Sequence, residues 1–388
     1  MSELDNIFNR KNTNSYKWDF LKERFGNDDI LPLWVADMDF KSPEEVLKKM
    51  EEISINGFFG YTFKNDNFYN SIINWIYRKH NWKIEKENIF TTHGVVNGLS
   101  AAINALTNEN DKIIIQTPVY YPFFHVIENN KREIVRNPLI IENGEYKIDF
   151  DNLNKIIDDK TKIFILCSPH NPVGRVWNKN ELDQIADFVL KNNLILLSDE
   201  IHADLIFKTH KHIPIANISK DIANKTITFM APSKTFNLPG LETSFAIIEN
   251  EEYIEKFNNT INAWSIGGNN IYGIFATQTA YNHGGKWLKD VLDYIHENYI
   301  YLKEFFSKNM PQIETYPLEG TYLMWINCNK LNMSNEELDK FFIEEVKVGL
   351  NPGHIFGEEG NGFQRINIAC PRKNLEIFAN NFLKAIQH

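Results

Sequence analysis

Lys234 stands in Ala231-Pro232-Ser233-Lys234-Thr235-Phe236-Asn237. Upstream lie Asp199, in Leu197-Ser198-Asp199-Glu200-Ile201-His202, and Asn171, in Ser168-Pro169-His170-Asn171-Pro172-Val173-Gly174. A lysine amine condenses with an aldehyde, a carboxylate keeps a pyridine nitrogen protonated, and a neutral amide donates to a phenolate oxygen. Together these meet the needs of a pyridoxal-phosphate site, where the cofactor is the electron sink and the protein holds, tunes and directs it. Lys234 would hold the aldehyde and, once displaced by a substrate amine, act as base toward the Cα proton. Asp199 would face the ring nitrogen. Asn171 would donate to the ring O3′, with His202 as a second donor there. Taken singly, each has a plainer reading: an exposed lysine, a carboxylate capping a helix, an Asn-Pro turn.

Further residues complete the pattern. His93-Gly94-Val95-Val96-Asn97-Gly98 falls between a strand-like and a helix-like segment. The backbone N–H groups of Gly94, Val95 and Val96 are therefore placed to take a phosphate at a helix start. Ser233 adds a hydroxyl beside the lysine. In Thr117-Pro118-Val119-Tyr120-Tyr121-Pro122-Phe123, Tyr120 would stack on the pyridine face, with Tyr121 one register away. Arg365, in Gly362-Phe363-Gln364-Arg365-Ile366-Asn367, offers a guanidinium fork for a substrate α-carboxylate, and Asn171 would assist it. Asp199, His202 and Asp204 lie close in sequence, but no further cluster at ligand spacing joins them, so no metal is expected.

The elements that must position these residues alternate. Short apolar runs at residues 89–91, 113–116, 163–166, 194–197, 226–230 and 244–248 are separated by amphipathic stretches such as 99–106 and 181–190. Continuous apolar runs suit strands buried on both faces, and helices between them argue for a mostly parallel sheet wrapped by helices. Three of the chemical motifs begin where such runs end, which is where ligands bind in open α/β sheets. A helical stretch at 287–306 then leads to a different rhythm: strand-like 321–326, a helix over 335–346, strand-like 363–369 and a helix over 374–386. The expected division is an N-terminal segment, 1–47, packing with a small α+β domain, 287–388, around a large cofactor-binding domain, 48–286.

Length and composition agree. The 388 residues suggest about two domains, and 43% hydrophobic with 24% charged residues is ordinary for a globular protein. A formal net charge of −10 gives no general attraction to nucleic acid or anionic membrane. No long apolar run suggests a membrane span, and the start Met1-Ser2-Glu3-Leu4-Asp5 shows no signal-peptide pattern. Cys167, Cys328 and Cys370, widely spaced and without CxxC, read as buried free thiols in a reducing cytoplasm.

The chain resembles the fold-type I pyridoxal-phosphate enzymes of the aspartate aminotransferase superfamily, and more narrowly their cystathionine β-lyase (C–S lyase) branch, grouped with the class II aminotransferases. Besides the motifs above, the narrower likeness rests on Leu33-Trp34-Val35-Ala36-Asp37-Met38-Asp39-Phe40, Gly60-Tyr61, Gly174-Arg175-Val176-Trp177, Ala203-Asp204-Leu205, Gly320-Thr321-Tyr322 and Ile368-Ala369-Cys370-Pro371-Arg372. It therefore spans nearly the whole chain. There are departures from ordinary aminotransferases: His202 stands where a tyrosine usually meets O3′, Ala231 where a phosphate-binding serine is common, and Leu241-Glu242-Thr243-Ser244 where an arginine is usual. The resemblance implies a homodimer in which Tyr61 reaches the neighbouring subunit's phosphate. It implies a small amino-acid substrate, L-cystathionine or a related cysteine S-conjugate, cleaved to thiol, pyruvate and ammonia. An aminotransferase of similar fold would use the same Lys234, Asp199, Asn171 and Arg365. Some members of the branch resemble regulators that contact other proteins, and no motif here marks such a surface.

Overall fold

The computed structural model describes residues 3–387; Met1 and Ser2 of the N-terminal stretch lie outside them. A seven-stranded sheet forms the centre, in the spatial order Ile89–Thr92, Ser244–Ile248, Thr226–Met230, Ile195–Asp199, Thr161–Cys167, Lys112–Ile115, Glu133–Arg136. Ser244–Ile248 runs antiparallel to both of its neighbours, and the other pairings are parallel. The apolar runs are continuous because the sheet is covered on both faces. Ile113, Ile115, Ile163 and Ile165 pack with Leu99 and Ala102 of the Val95–Leu106 helix on one side. Ile114, Phe164 and Leu166 pack with Leu182, Ile185 and Val189 of the Lys179–Lys191 helix on the other. That alternation is the period-two geometry of a strand expressed in a fully buried sheet.

The Gly285–Asn309 helix leads to a second, antiparallel sheet in the order Glu314–Thr315, Leu323–Asn327, Phe363–Asn367, Asn351–Pro352. The N-terminal segment joins this part of the chain, since Leu31–Pro32 pairs in parallel with Val348–Gly349. Helices Asn335–Glu344 and Arg372–Gln387 fall where the pattern places them. Among the described residues no helix is long and apolar enough to cross a membrane, and no group of three or more His, Cys, Asp or Glu side chains is arranged to hold a metal.

The segment 34–39 is fixed by buried charge. Asp39 accepts from Lys17 Nζ and Arg10 Nη1, both at 2.8 Å, and from Trp18 Nε1 at 2.9 Å, while Asp37 pairs with Arg10 Nη2 at 2.9 Å. Lys17 is fully buried, so it holds its charge there only because these carboxylates surround it.

Candidate active site

Three parallel strands deliver site residues at their carboxyl ends. Asp199 ends Ile195–Asp199, Cys167 ends Thr161–Cys167, and Thr226–Met230 runs through Ala231 into the short Pro232–Thr235 helix that carries Lys234. Beside them Gly94, at φ +94°, turns the chain from Ile89–Thr92 into the Val95–Leu106 helix, a conformation that favours glycine. Together they enclose a cavity of about 400 Å³ lined by Gly94, Val95, Val96, Tyr120, Asn171, Asp199, His202, Ser233 and Lys234. The neighbouring ring, Tyr121, lines a different cleft, so Tyr120 is the tyrosine at the cavity.

The charged groups in this cavity lack charged partners. Lys234 Nζ donates to the Ala36 carbonyl at 2.7 Å and makes no ion pair among the described residues. Burial pulls its pKa down to about 8, against an opposing influence of Asp37 and Asp199. Asp199 Oδ1 accepts from the Ile201 N–H at 3.1 Å, and no described cation pairs with it; burial pushes its carboxyl up to about 7. Burial, followed by the charges of Lys234 and Arg365, holds His202 down at about 3, so its imidazole is neutral, and its buried Nδ1 has no protein partner. An amine with a raised neutral fraction, a carboxyl without a cation and a neutral imidazole with a free nitrogen fit an aldehyde-bearing, protonated pyridine ring. The N–H groups at the start of the Val95–Leu106 helix fit its phosphate.

Arg365 stands behind Asn171 and does not line the cavity. Its Nη1 donates to Asn171 Oδ1 at 3.0 Å; Nη2 donates to Asn351 Oδ1 at 2.9 Å and to the Trp34 carbonyl at 3.1 Å. Burial draws its pKa down to about 10, which leaves it charged at neutral pH, and its Nε has no partner. Tyr61 is not brought to this cavity: its side chain is fully exposed, in a run where Phe58, Phe59 and Phe63 are exposed as well.

Several groups take places at the site that residue type and spacing do not signal. Ala36 contributes a main-chain carbonyl, which accepts from both Lys234 and the Tyr322 hydroxyl, and residue type says nothing about it. Asn351 meets Arg365 because the two are register partners across adjacent strands, a pairing invisible until the sheet is known. Cys167 lines the cavity as a buried free thiol, as Cys328 and Cys370 are buried elsewhere. Asp204 accepts from Thr235 Oγ1 at 2.9 Å, from both contacts of Trp75 Nε1 and from His80, and so fixes the turn beside Lys234. Glu242 lines the cavity from an exposed left-handed residue.

Comparison with known proteins gives a consistent result. Residues 28–382 match the family described as aminotransferase class I and II. The chain is 39% identical over 368 residues to cystathionine beta-lyase PatB of Bacillus subtilis (strain 168), covering 95% of each protein. Cystalysin from Treponema denticola, whose crystal structure contains a pyridoxal 5′-phosphate cofactor, superposes with a TM-score of 0.96 at 38% identity, covering 99% of this chain and 98% of that one. The PLP-bound C–S lyase from Staphylococcus hominis superposes with a TM-score of 0.92 at 33% identity, again covering 99% and 98%.

Proposed function

The chain belongs to the aminotransferase class I and II family, and on that premise we propose that it is a pyridoxal-phosphate-dependent carbon–sulfur lyase. It acts on L-cystathionine or related cysteine S-conjugates and releases thiol, pyruvate and ammonia. The observation that carries this reading is the pair of buried, ionically unpartnered groups, Lys234 and Asp199, in one cavity of a chain so similar to cystathionine beta-lyase PatB.

Pyridoxal phosphate, when bound, supplies the electron sink that stabilises negative charge at the substrate Cα. The chain supplies the rest. Asp199 would present its carboxylate to the ring nitrogen, and Asn171 and His202 would serve O3′. The Val95–Leu106 helix start and Ser233 would hold the phosphate, and Tyr120 would lie against the ring. With a pKa near 8, Lys234 is uncharged in roughly a tenth of molecules at pH 7, enough to serve as nucleophile and then as base. Arg365 exchanges its resting acceptors for the substrate α-carboxylate, which places Cα toward Lys234. A thiolate is a good leaving group and needs little protonic help at the β-carbon.

A homodimer is the assembly we favour, supported by the exposed apolar run at 55–63 that carries Tyr61. The large domain spans 48–286, with 287–388 and the N-terminal 1–47 forming the smaller unit, supported by the pairing of Leu31–Pro32 with Val348–Gly349. We place the protein in the cytoplasm, supported by its three free, buried cysteines.

The deciding experiment supplies L-cystathionine without any keto acid and follows pyruvate, thiol and pyridoxamine phosphate together. Many turnovers to pyruvate and thiol support the lyase. Turnover that requires a keto-acid acceptor, with pyridoxamine phosphate accumulating in its absence, would assign an aminotransferase instead.

A further inference from the structure

Gly320-Thr321-Tyr322 runs into the strand Leu323–Asn327 and brings the second sheet up to Lys234. The chain passes tightly at Gly320, where a Cβ would lie 2.9 Å from both the Leu205 carbonyl oxygen and Val176 Cγ2. Thr321 sits at φ +68°, a left-handed conformation that is costly for a β-branched residue. Its N–H donates to the Leu205 carbonyl at 2.7 Å, and its hydroxyl accepts from the Leu323 N–H at 3.1 Å, which holds the turn. That turn delivers the Tyr322 ring into the interior, edge-on to His202 with ring centroids 6.0 Å apart. The Tyr322 hydroxyl donates to the Ala36 carbonyl at 2.9 Å, the same oxygen that accepts from Lys234 Nζ at 2.7 Å. The flanking carbonyls of Val35 and Asp37 are fixed by Asn367, the register partner of Leu323.

We propose that Tyr322 is a positioning residue for proton transfer at Cα: by sharing the Ala36 carbonyl it weakens that oxygen's hold on the Lys234 ammonium and favours the free amine. The proposal rests on Lys234 acting as base, a role that the lyase and the aminotransferase have in common. A carbonyl oxygen has two lone pairs, and each donor it accepts makes it a poorer acceptor for the other. A hydrogen bond to the charged form of a group favours that form. An oxygen already engaged by a neutral hydroxyl therefore favours the ammonium less than a free one would. Burial draws the amine down to about 8, Asp37 and Asp199 oppose it, and Arg365 acts with burial. Glu242 and His93 also line the cavity. His202 is neutral, and burial keeps Tyr120 and Cys167 protonated. Burial likewise pushes the Tyr322 phenol up, so it keeps the proton that it donates. All these groups stay in place when only the Tyr322 hydroxyl is removed.

The test is Tyr322→Phe in the full chain, which keeps the ring beside His202 and removes one oxygen. Cofactor-free protein is pulsed with acetic anhydride across a pH series, and acetylation is read by mass on the peptide that contains Lys234. The half-reactivity pH should rise by about 0.5, which makes the lysine about threefold slower at pH 7, because part of a neutral hydrogen bond's competition is lost. The rate at the high-pH plateau should match wild type. A midpoint that does not move, or that rises together with the plateau because the cavity has opened, overturns the proposal. A 3-fluorotyrosine in place of Tyr322 is a stronger donor with nearly the same packing and should move the midpoint downward; an upward shift overturns the proposal as well. In the cofactor-loaded enzyme the acid limb of kcat for L-cystathionine should move up in Tyr322→Phe by the same amount as the labelling midpoint. A limb that stays put while the labelling midpoint moves overturns the role in proton transfer. Labelling needs no turnover, so wild-type enzyme that fails to cleave L-cystathionine overturns the lyase reading alone.

Discussion

Replacing Asp199 by asparagine should stabilise the cofactor-free protein while disabling the enzyme. In the folded chain burial raises this carboxyl from the ordinary 3.8 to about 7, and no described cation offsets the cost of its charge. A raised carboxyl pKa means the folded state holds its proton more tightly than the unfolded state. The associated stability is therefore fully present below pH 3.8 and lost as pH rises through 7. The interval between those values is worth about 4 kcal/mol. Asparagine resembles the neutral carboxyl in shape and carries no ionisation to suppress. Cofactor-free Asp199→Asn should then exceed wild type by about 4 kcal/mol at pH 8, narrowing to roughly 2 kcal/mol at pH 5. Urea denaturation of both proteins, followed by tryptophan fluorescence at the two pH values, gives the comparison. With cofactor bound the order should reverse in function, turnover falling by at least about two orders of magnitude as the charge facing the ring nitrogen is lost. A stability difference that does not change with pH, or a variant less stable than wild type at pH 8, would refute the claim that Asp199 waits for a cation. Near-normal turnover would make the aspartate structural.

Four other outcomes follow. Wild-type protein with cofactor should be yellow, borohydride should bleach the band and fix the label on the peptide containing Lys234, and Lys234→Ala should abolish steady turnover; a label elsewhere refutes the assignment. Lys17→Met should cost about 3 kcal/mol in chemical denaturation, because it leaves Asp39 with one buried cation fewer; an unchanged midpoint would show that Arg10 suffices. Glu242→Gln should tighten cofactor binding by about two- to threefold in a fluorescence titration, by removing a negative charge from a cavity that takes a phosphate; weaker binding would mean Glu242 assists the cofactor. Light scattering should give twice the chain mass, and a monomer with full activity would contradict the shared-site dimer.

The sequence was most legible where chemistry and periodicity coincided. Lys234, Asp199 and Asn171 could be read because each follows an apolar run, and a strand end in an α/β sheet is where ligands bind. The edge strand Glu133–Arg136 gave no such run: it begins with glutamate, ends with arginine, and both of those ends are exposed. The amphipathic helices Glu44–Asn56 and Asp66–His80 also went unread, although Asn65 caps the second by accepting from the Phe68 N–H. The strand ending in Asn367 is shorter than its apolar pattern, which continues through Ile368, Ala369 and Cys370; these are buried beyond the strand end. Arg365 was legible as a lone arginine in an apolar strand, but its position behind Asn171 was not.

What residue types cannot convey is how the segment 34–39 keeps the site ready. The carbonyls of this bent segment reach different partners. Those of Trp34 and Ala36 meet Arg365 and Lys234, while those of Val35 and Asp37 both accept from Asn367 Nδ2. The acidic side chains of the same segment, Asp37 and Asp39, are drawn to Arg10 and Lys17 instead. Lys234 and Arg365, the two cations given roles in the proposed reaction, are therefore held at rest by neutral acceptors. A carboxylate is a stronger partner for a cation than a carbonyl, so a substrate carboxylate can displace Trp34 from Arg365. A carboxylate in place of the Ala36 carbonyl would raise the Lys234 pKa and reduce its neutral, reactive fraction. With its acids paired to Arg10 and Lys17, the N-terminal segment meets the lysine with a neutral acceptor, and burial draws the amine down to about 8 even though the Asp37 charge still pushes it the other way.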